Sequence, residues 1–115
     1  MDLQLVKQLC ADEKLRWTQH IFLRLVQRNI SMADVQTAIL NGELVEDYPN
    51  DLPYPSCLIL GYRGPGLALH VVCAPDSENE ELWLITAYVP DTNKWMDDLK
   101  TRRTESWPVF HAKGI

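Results

Sequence analysis

The chain has 115 residues, of which 46% are hydrophobic and 23% charged, and its formal net charge is -5. This composition is typical of one globular domain and excludes a fibre or a largely disordered chain. No apolar run approaches the roughly 20 residues of a membrane span. The acidic balance disfavours broad nucleic-acid binding, although bases gather locally in Arg16–Arg28 and Lys100–Arg103. We therefore expect a single domain over residues 1–115.

The three cysteines, Cys10, Cys57 and Cys73, are odd in number and widely spaced. This pattern favours free thiols in a reducing cytoplasm over a disulfide framework. The N-terminus shows no basic segment followed by an apolar one, so no secretory signal is expected and the predicted location is cytoplasmic. The histidines lack zinc-ligand spacing with the cysteines, and no cofactor motif is visible. We predict neither a metal site nor a cofactor.

Helical periodicity predicts a helix over residues 2–28, in one piece or two. Its clearest part is Thr18–Arg28, where apolar residues form one stripe. Ser31 followed by Asp34 resembles a capping box and predicts the start of the next helix. Asn41-Gly42 predicts where that helix ends, because both residues tolerate the left-handed conformation.

After Gly42 the apolar pattern changes to that of strands, which are separated by a proline-rich loop and short turns. Short connections without helices predict an antiparallel meander. The four predicted strands are Leu44–Tyr48, Ser56–Tyr62, Leu67–Ala74 and Leu82–Val89.

Beyond the fourth strand, Asp91 or Thr92 predicts the cap of a short C-terminal helix that reaches Leu99. The tail, residues 104–115, contains Trp107 and Phe110, which favour docking on the body of the domain. The predicted fold is α+β, with two N-terminal helices packed on one face of a four-stranded antiparallel sheet.

Side-chain alternation assigns the two faces of this sheet. In the fourth strand the purely apolar set is expected to face the helices: Trp83, Ile85 and Ala87. The other set is expected on the opposite face: Leu84, Thr86 and Tyr88. His70 alternates with apolar residues in the third strand, so it is predicted to share the face of Thr86 and Tyr88.

Histidine, arginine and tyrosine are the side chains that metal-free RNA cleavage requires. In this reaction the ribose 2′-hydroxyl attacks the adjacent phosphate, which needs a base, an acid and cations that hold the charge on phosphorus. We expect His20 and His70 to share the acid–base work and Tyr88 to position a nucleobase. Three arginines would hold the phosphate: Arg24, Arg28 and Arg102.

The same side chains also have an ordinary structural interpretation. His20, Arg24 and Arg28 recur every four residues on one flank of a helix, as the solvated residues of an amphipathic helix do. His70 lies among apolar neighbours and is equally consistent with a half-buried strand histidine. Residue chemistry alone therefore leaves catalysis and structure as open alternatives.

Several short motifs in a fixed order resemble a bacterial domain-of-unknown-function family of small proteins. The resemblance covers residues 17–103 and depends on His20-x3-Arg24-x3-Arg28-Asn-Ile-Ser, Leu69-His70-Val-Val, Ile85-Thr-Ala-Tyr88-x-Pro90 and Lys100-Thr-Arg102-Arg103. Members of that family are considered relatives of RelE-type and MqsR-type toxins, and some are paired with YgiT-type zinc-finger antitoxins.

The resemblance implies a RelE-like, microbial-ribonuclease-like fold that binds RNA on the sheet face opposite the helices. It places the family's functional positions on His20, Arg24, Arg28, His70, Thr86 and Tyr88. It also implies a toxin of a type II toxin–antitoxin pair, an endoribonuclease whose partners are RNA and a small antitoxin, with zinc-finger type as one option.

A non-catalytic protein-interaction domain of the same fold is the alternative function. In that case the acidic segment Glu43–Asp51 would bind a basic partner and the histidines would be structural. The two functions differ in geometry. Convergence of His20, His70 and Tyr88 on one open cleft favours catalysis, whereas histidines buried apart favour the interaction domain.

Overall fold

The computed structural model describes residues 1–104, within which the chain forms three helices and one five-stranded sheet. The elements in chain order are α1 (Leu3–Ala11), β1 (Leu15–Trp17), α2 (Gln19–Arg28), α3 (Met32–Leu40), β2 (Glu43–Tyr48), β3 (Ser56–Tyr62), β4 (Ala68–Asp76) and β5 (Glu81–Tyr88).

The predicted α+β class and the antiparallel meander of β2 to β5 are confirmed, but the sheet has five strands rather than four. The extra strand, β1, pairs parallel with β5, so that the strand order is β1-β5-β4-β3-β2. It lies inside the region where a continuous or divided helix was expected. Glu13 has a left-handed φ of 57°, which ends the first helix, and Thr18 caps α2 by accepting from the Ile21 amide.

The three helices bury their apolar residues against one face of the sheet, which we call the helix face. Ile21, Val35 and Ile39 from the helices meet Leu69 and Val71 from β4 in one core cluster, and all five are fully buried. The close approach of α3 to β3 depends on Gly61, because a Cβ there would collide with the backbone of Ala38.

A β-bulge changes which residues of β5 face the helices. Val72 pairs with Thr86 whereas the next residue of β4 pairs with Leu84, so Ile85 is the additional residue. Thr86 and Tyr88 lie on the opposite face as predicted, and Ala87 lies in the helix-face core. Before the bulge the prediction is wrong: Leu84 belongs to the core, and Trp83 lies on the other face.

The second face of the sheet, the outer face, carries two rows of directly paired residues. One row runs from Glu43 through Leu60 and His70 to Tyr88. The other row comprises Glu46, Leu58, Val72 and Thr86.

Residues 90–103 form an irregular segment, here called the strap, that lies across the outer face. The predicted C-terminal helix to Leu99 is therefore wrong. The strap consists of turns closed by a bridge between Trp95 and Arg102, and Leu99 has a φ of 60° that a right-handed helix excludes. It contacts His70, Glu43 and Glu46 of the outer face, where Leu58 and Leu60 are also buried.

The predicted docking of the tail through Trp107 and Phe110 concerns residues outside the described part of the chain. Within residues 1–104, no helix is long and apolar enough to cross a membrane.

Candidate functional site

A cleft of about 560 Å³ opens on the outer face beside the strap. This volume lies in the range of roughly 300–1,000 Å³ that is typical of sites for small ligands. The cleft combines aromatic, hydroxyl and charged side chains from the sheet, from the loop after β2 and from the strap. Its lining residues are Tyr48, Asp51, Val72, Thr86, Tyr88, Val89, Asp91, Lys94, Trp95 and Arg102.

His70 lies under the strap next to this cleft and is fully buried. Its Nε2 is 2.8 Å from the carbonyl oxygen of Leu99. Because a carbonyl only accepts, Nε2 carries the ring hydrogen and Nδ1 is left as the acceptor. Nδ1 lies 3.4 Å from the hydroxyl of Tyr88, which lines the cleft. The imidazole therefore reaches the cleft through the phenol.

The surroundings of His70 keep its ring neutral at neutral pH. Burial lowers its pKa, and the nearby charge of Arg102 lowers it further. The Leu99 carbonyl and the carboxylate of Glu46 act in the opposite direction and raise the pKa, but burial dominates. Trp95 packs edge-on against the imidazole at a centroid distance of 4.6 Å and excludes water from it. A neutral imidazole with a free nitrogen can accept a proton.

Arg102 is held in one orientation by contacts with Glu46, Trp95 and Tyr48. Its Nε and Nη2 donate to the two carboxylate oxygens of Glu46, at 2.8 Å and 3.0 Å. Its guanidinium lies 4.6 Å from the ring centroid of Trp95. The guanidinium also interacts with the hydroxyl of Tyr48, and Arg102 lines the cleft. The arrangement suits a phosphate oxygen.

Glu46 is the anionic centre of the same cluster. Burial raises the pKa of Glu46, but hydrogen bonds from Arg102 and from the hydroxyl of Tyr48 outweigh it and lower the pKa below the ordinary glutamate value. Burial also raises the pKa of Tyr88, so its phenol stays protonated at neutral pH. The cluster thus contains a stable carboxylate, a fixed guanidinium and a neutral phenol.

The rim of the cleft carries charges of both signs. Lys94 lines it without an ion-pair partner among the described residues. Asp51 accepts a hydrogen bond from Ser56, and Asp91 accepts one from the amide of Asn93. A ligand therefore meets an unpaired ammonium group and two carboxylates around an aromatic interior.

The structure brings four of the seven predicted site residues together at this cleft: His70, Thr86, Tyr88 and Arg102. Arg28 lies at its margin. It donates to the carbonyl of Ala87 at 2.8 Å and to the hydroxyl of Thr86 at 3.3 Å. Both residues lie in the part of β5 that follows its pairing with β1. These bonds cover the free edge of β5.

The structure does not bring His20 and Arg24 to the cleft. His20 is exposed in the first turn of α2, and Arg24 donates to Gln27 of its own helix. The expectation that two imidazoles meet is not met, since the aromatic rings packed against His70 are those of Tyr88 and Trp95. Of the three predicted residues on this flank of α2, Arg28 in the last turn reaches β5, whereas no hydrogen bond joins His20 or Arg24 to β5 within residues 1–104.

Sequence reasoning missed Glu46, Tyr48, Lys94 and Trp95 as site residues. Glu46 was assigned to an acidic segment and to no catalytic or binding role. A signal was present, because Glu46 and Tyr48 are two residues apart in a strand and therefore share one face. Nothing in the sequence indicated that the strap would carry Trp95 and Lys94 to that face.

A family model for a domain of unknown function, DUF4258, matches residues 17–89 of the chain. This segment extends from the end of β1 through β5 and includes His70, Thr86 and Tyr88, but it stops before the strap. No curated protein and no solved structure gives a significant match.

Proposed function

The chain belongs to the DUF4258 family, whose description assigns no activity, and we propose that its outer-face cleft binds RNA and cleaves it without a metal ion. One observation carries the proposal. A buried neutral imidazole, His70, directs its free nitrogen at a phenol, Tyr88, in a cleft that also presents the fixed guanidinium of Arg102. These are a proton acceptor, a relay and a phosphate ligand within one cavity.

The proton of the attacking hydroxyl would leave through Tyr88. The ribose 2′-hydroxyl gives its proton to the Tyr88 oxygen as the phenol passes its own proton to Nδ1 of His70. The 2′-oxygen then bonds to phosphorus. The resulting imidazolium keeps its hydrogen bond to the Leu99 carbonyl and is stabilised by the negative charge of Glu46.

The phosphate would be held by the guanidinium of Arg102, one edge of which is bound by Glu46. The bond from phosphorus to the 5′-oxygen breaks, and that oxygen takes a proton from the ammonium of Lys94. The products are a 2′,3′-cyclic phosphate and a free 5′-hydroxyl. Tyr48 and Trp95 provide aromatic surfaces on which an unstacked base can lie.

Cleavage of a fluorescent single-stranded RNA by the purified full chain in excess EDTA tests this proposal. We expect products with 2′,3′-cyclic phosphate ends and no cleavage of DNA of the same sequence, because DNA lacks the attacking hydroxyl. Tyr88→Phe and His70→Asn should each lower the rate by about 10²–10⁴-fold. Tyr62→Phe, which alters a half-exposed tyrosine at the end of β3, is the matched control.

Two results would reject the proposed reaction. One is the absence of cleavage across RNAs that together contain every dinucleotide step. The other is cleavage that Tyr88→Phe and His70→Asn both leave at the wild-type rate. His20→Ala distinguishes the proposed reaction from the sequence-based hypothesis, in which His20 is an acid or base. We expect this variant to retain activity.

The biological role proposed with this reaction is that of a type II toxin acting on cytoplasmic RNA and inhibited by a small antitoxin, for which a zinc-finger type is one option. The support is the sequence resemblance to relatives of RelE-type and MqsR-type toxins, together with the chemistry of the cleft. Induced expression should arrest bacterial growth, His70→Asn should relieve the arrest, and the product of a neighbouring gene should suppress it. Growth unaffected by the wild-type chain would reject this role.

The alternative, a non-catalytic interaction domain, is favoured by the complete burial of His70. Its predicted acidic surface is, however, largely neutralised within the chain. Glu43 pairs with Lys100 at 3.1 Å and Glu46 pairs with Arg102 at 2.8 Å. The acidic segment Glu43–Asp51 therefore offers a basic partner less charge than its sequence indicates, and the cleft remains the better-supported site.

A further inference from the structure

We infer that the turn formed by residues 98–101 of the strap fixes the tautomer of His70, and that Asp98 is a positioning residue that acts through this turn. The inference deepens the proposed function and rests on it for its catalytic meaning. Its structural content, the location of the ring hydrogen, is measurable without any RNA.

Asp98 holds the turn through three hydrogen bonds. Its Oδ1 accepts from the amides of Lys100 and Thr101, at 2.9 Å and 3.0 Å. Its Oδ2 accepts from the hydroxyl of Thr101 at 2.8 Å. These bonds lower the pKa of Asp98, so the carboxylate remains charged at neutral pH. The side chain is exposed and makes no contact with His70, so any effect on the imidazole must pass through the backbone.

Leu99, between Asp98 and Lys100, has the unfavourable backbone geometry that this turn imposes. Its φ of 60° is left-handed, a conformation that residues with a Cβ rarely adopt. The result is that its carbonyl lies 2.8 Å from Nε2 of His70. A residue held in a sparsely populated conformation next to a candidate site indicates that the surrounding structure determines the geometry.

The turn is anchored to the sheet on its C-terminal side. Lys100 pairs with Glu43, and Arg102 pairs with Glu46, so β2 holds the two residues that flank Thr101. The Trp95–Arg102 bridge closes the strap on the other side of the turn. The Leu99 carbonyl is therefore presented by a closed and anchored segment.

The position of this carbonyl decides whether His70 can accept a proton from Tyr88. With an acceptor at Nε2, the ring hydrogen stays there and Nδ1 remains a lone pair directed at the phenol. If the carbonyl moves away, either nitrogen can carry the hydrogen. A hydrogen on Nδ1 would donate to the phenol oxygen and block the proposed proton transfer.

Nitrogen-15 NMR of histidine-labelled protein at pH 8 measures the tautomer directly, with the three histidines assigned by replacing His20 and His111 in turn with asparagine. In the wild type we expect His70 to be protonated at Nε2. Asp98→Ala should raise the fraction protonated at Nδ1 about fivefold, the change that follows from loss of one hydrogen bond of ordinary strength.

Two matched variants test whether the effect is specific. Asp97→Ala removes the neighbouring carboxylate, which is fully exposed and pairs with Arg103 at 3.6 Å, and should leave the His70 tautomer unchanged. Asp98→Asn keeps an oxygen acceptor for the two amides and should retain the wild-type tautomer. In an RNA-cleavage assay we expect Asp98→Ala to be slower than the wild type, and Asp97→Ala and Asp98→Asn to cleave at the wild-type rate.

Separate results overturn the two proposals. If Asp98→Ala leaves the tautomer as in the wild type, or if Asp97→Ala changes it equally, Asp98 is not a positioning residue. If the wild-type ring is protonated at Nδ1, the inferred geometry is wrong. If the tautomer responds as expected but the wild type cleaves no RNA, the positioning role stands and the proposed reaction fails.

Discussion

The two faces of the sheet are buried by different means. The helix face is covered by apolar side chains from three helices and includes residues of β4 such as Leu69 and Val71. The outer face is covered by an irregular strap that places an imidazole, a carboxylate and a guanidinium beside an open cleft. Apolar burial stabilises a fold, whereas polar groups held in fixed positions below the surface cost stability and provide chemistry. The helix face is therefore expected to contribute most to stability, and the outer face is the place of the proposed function.

The largest effect on stability is expected from truncation on the helix face. Leu69→Ala removes a fully buried side chain and should lower the free energy of unfolding by about 2–5 kcal/mol. Urea unfolding followed by fluorescence measures it, and RNA cleavage per folded molecule should not change. Val72→Ala on the outer face is the matched control, since Val72 is only partly buried and lines the cleft. Equal losses of stability in both variants would contradict the division between the faces.

An intermediate effect is expected where the strap is held to the sheet. Arg102→Met removes the partner of Glu46 and should lower the free energy of unfolding by about 1–2 kcal/mol, less than for a fully buried pair because both side chains are partly exposed. The same variant should weaken binding of single-stranded RNA in a filter-binding assay. Arg102→Lys should not restore binding, because lysine cannot bond to Glu46 and a phosphate through one planar group. If either variant bound RNA as tightly as the wild type, Arg102 would not be a phosphate-binding residue.

The smallest expected effect is a pH dependence of the free energy of unfolding, which arises from His70 on the outer face. The pKa of His70 is lowered in the folded state, so between its folded pKa and its ordinary value of 6.5 the unfolded chain binds more protons. Stability should therefore fall as the pH decreases through and below 6.5. The groups that face the ring are Glu46, Tyr88 and Arg102.

Urea unfolding between pH 5 and pH 8 measures this dependence in the wild type and in His70→Gln, which should show a smaller slope. His20→Gln alters an exposed histidine and should keep the wild-type slope. If His70→Gln also kept that slope, the imidazole would not be the neutral buried group that the cleft geometry requires.

Much of the sheet could be predicted from the sequence because its turns and alternation are local signals. The strand Ser56–Tyr62 has the predicted bounds, and the capping box at Ser31 and Asp34 is present. Strand β1 was missed because three residues are too short to show a period, and its pairing with β5 depends on contacts distant in sequence. The faces of the β5 residues before Ile85 were predicted wrongly for a similar reason. The bulge at Ile85 depends on the pairing with β4, which the sequence of β5 alone does not reveal.

The site was predicted only in part because the strap determines it. His70, Thr86 and Tyr88 follow from strand alternation. The partners that define their chemistry, Leu99 and Trp95, come from a segment in which Asp91 or Thr92 predicted the start of a helix. Asp91 does accept a hydrogen bond from a following amide, but it closes a single turn, and the left-handed Leu99 ends any helical path before residue 100.

The most direct test of the functional face is NMR mapping of a bound, uncleavable RNA, a single strand with 2′-O-methyl riboses. We expect chemical-shift changes at Thr86, Tyr88, Lys94 and the indole of Trp95, all of which line the cleft. Val26, 80% exposed on α2, should not shift. Shifts confined to α2, or no shifts at RNA concentrations that saturate binding, would contradict the assignment of function to the outer face.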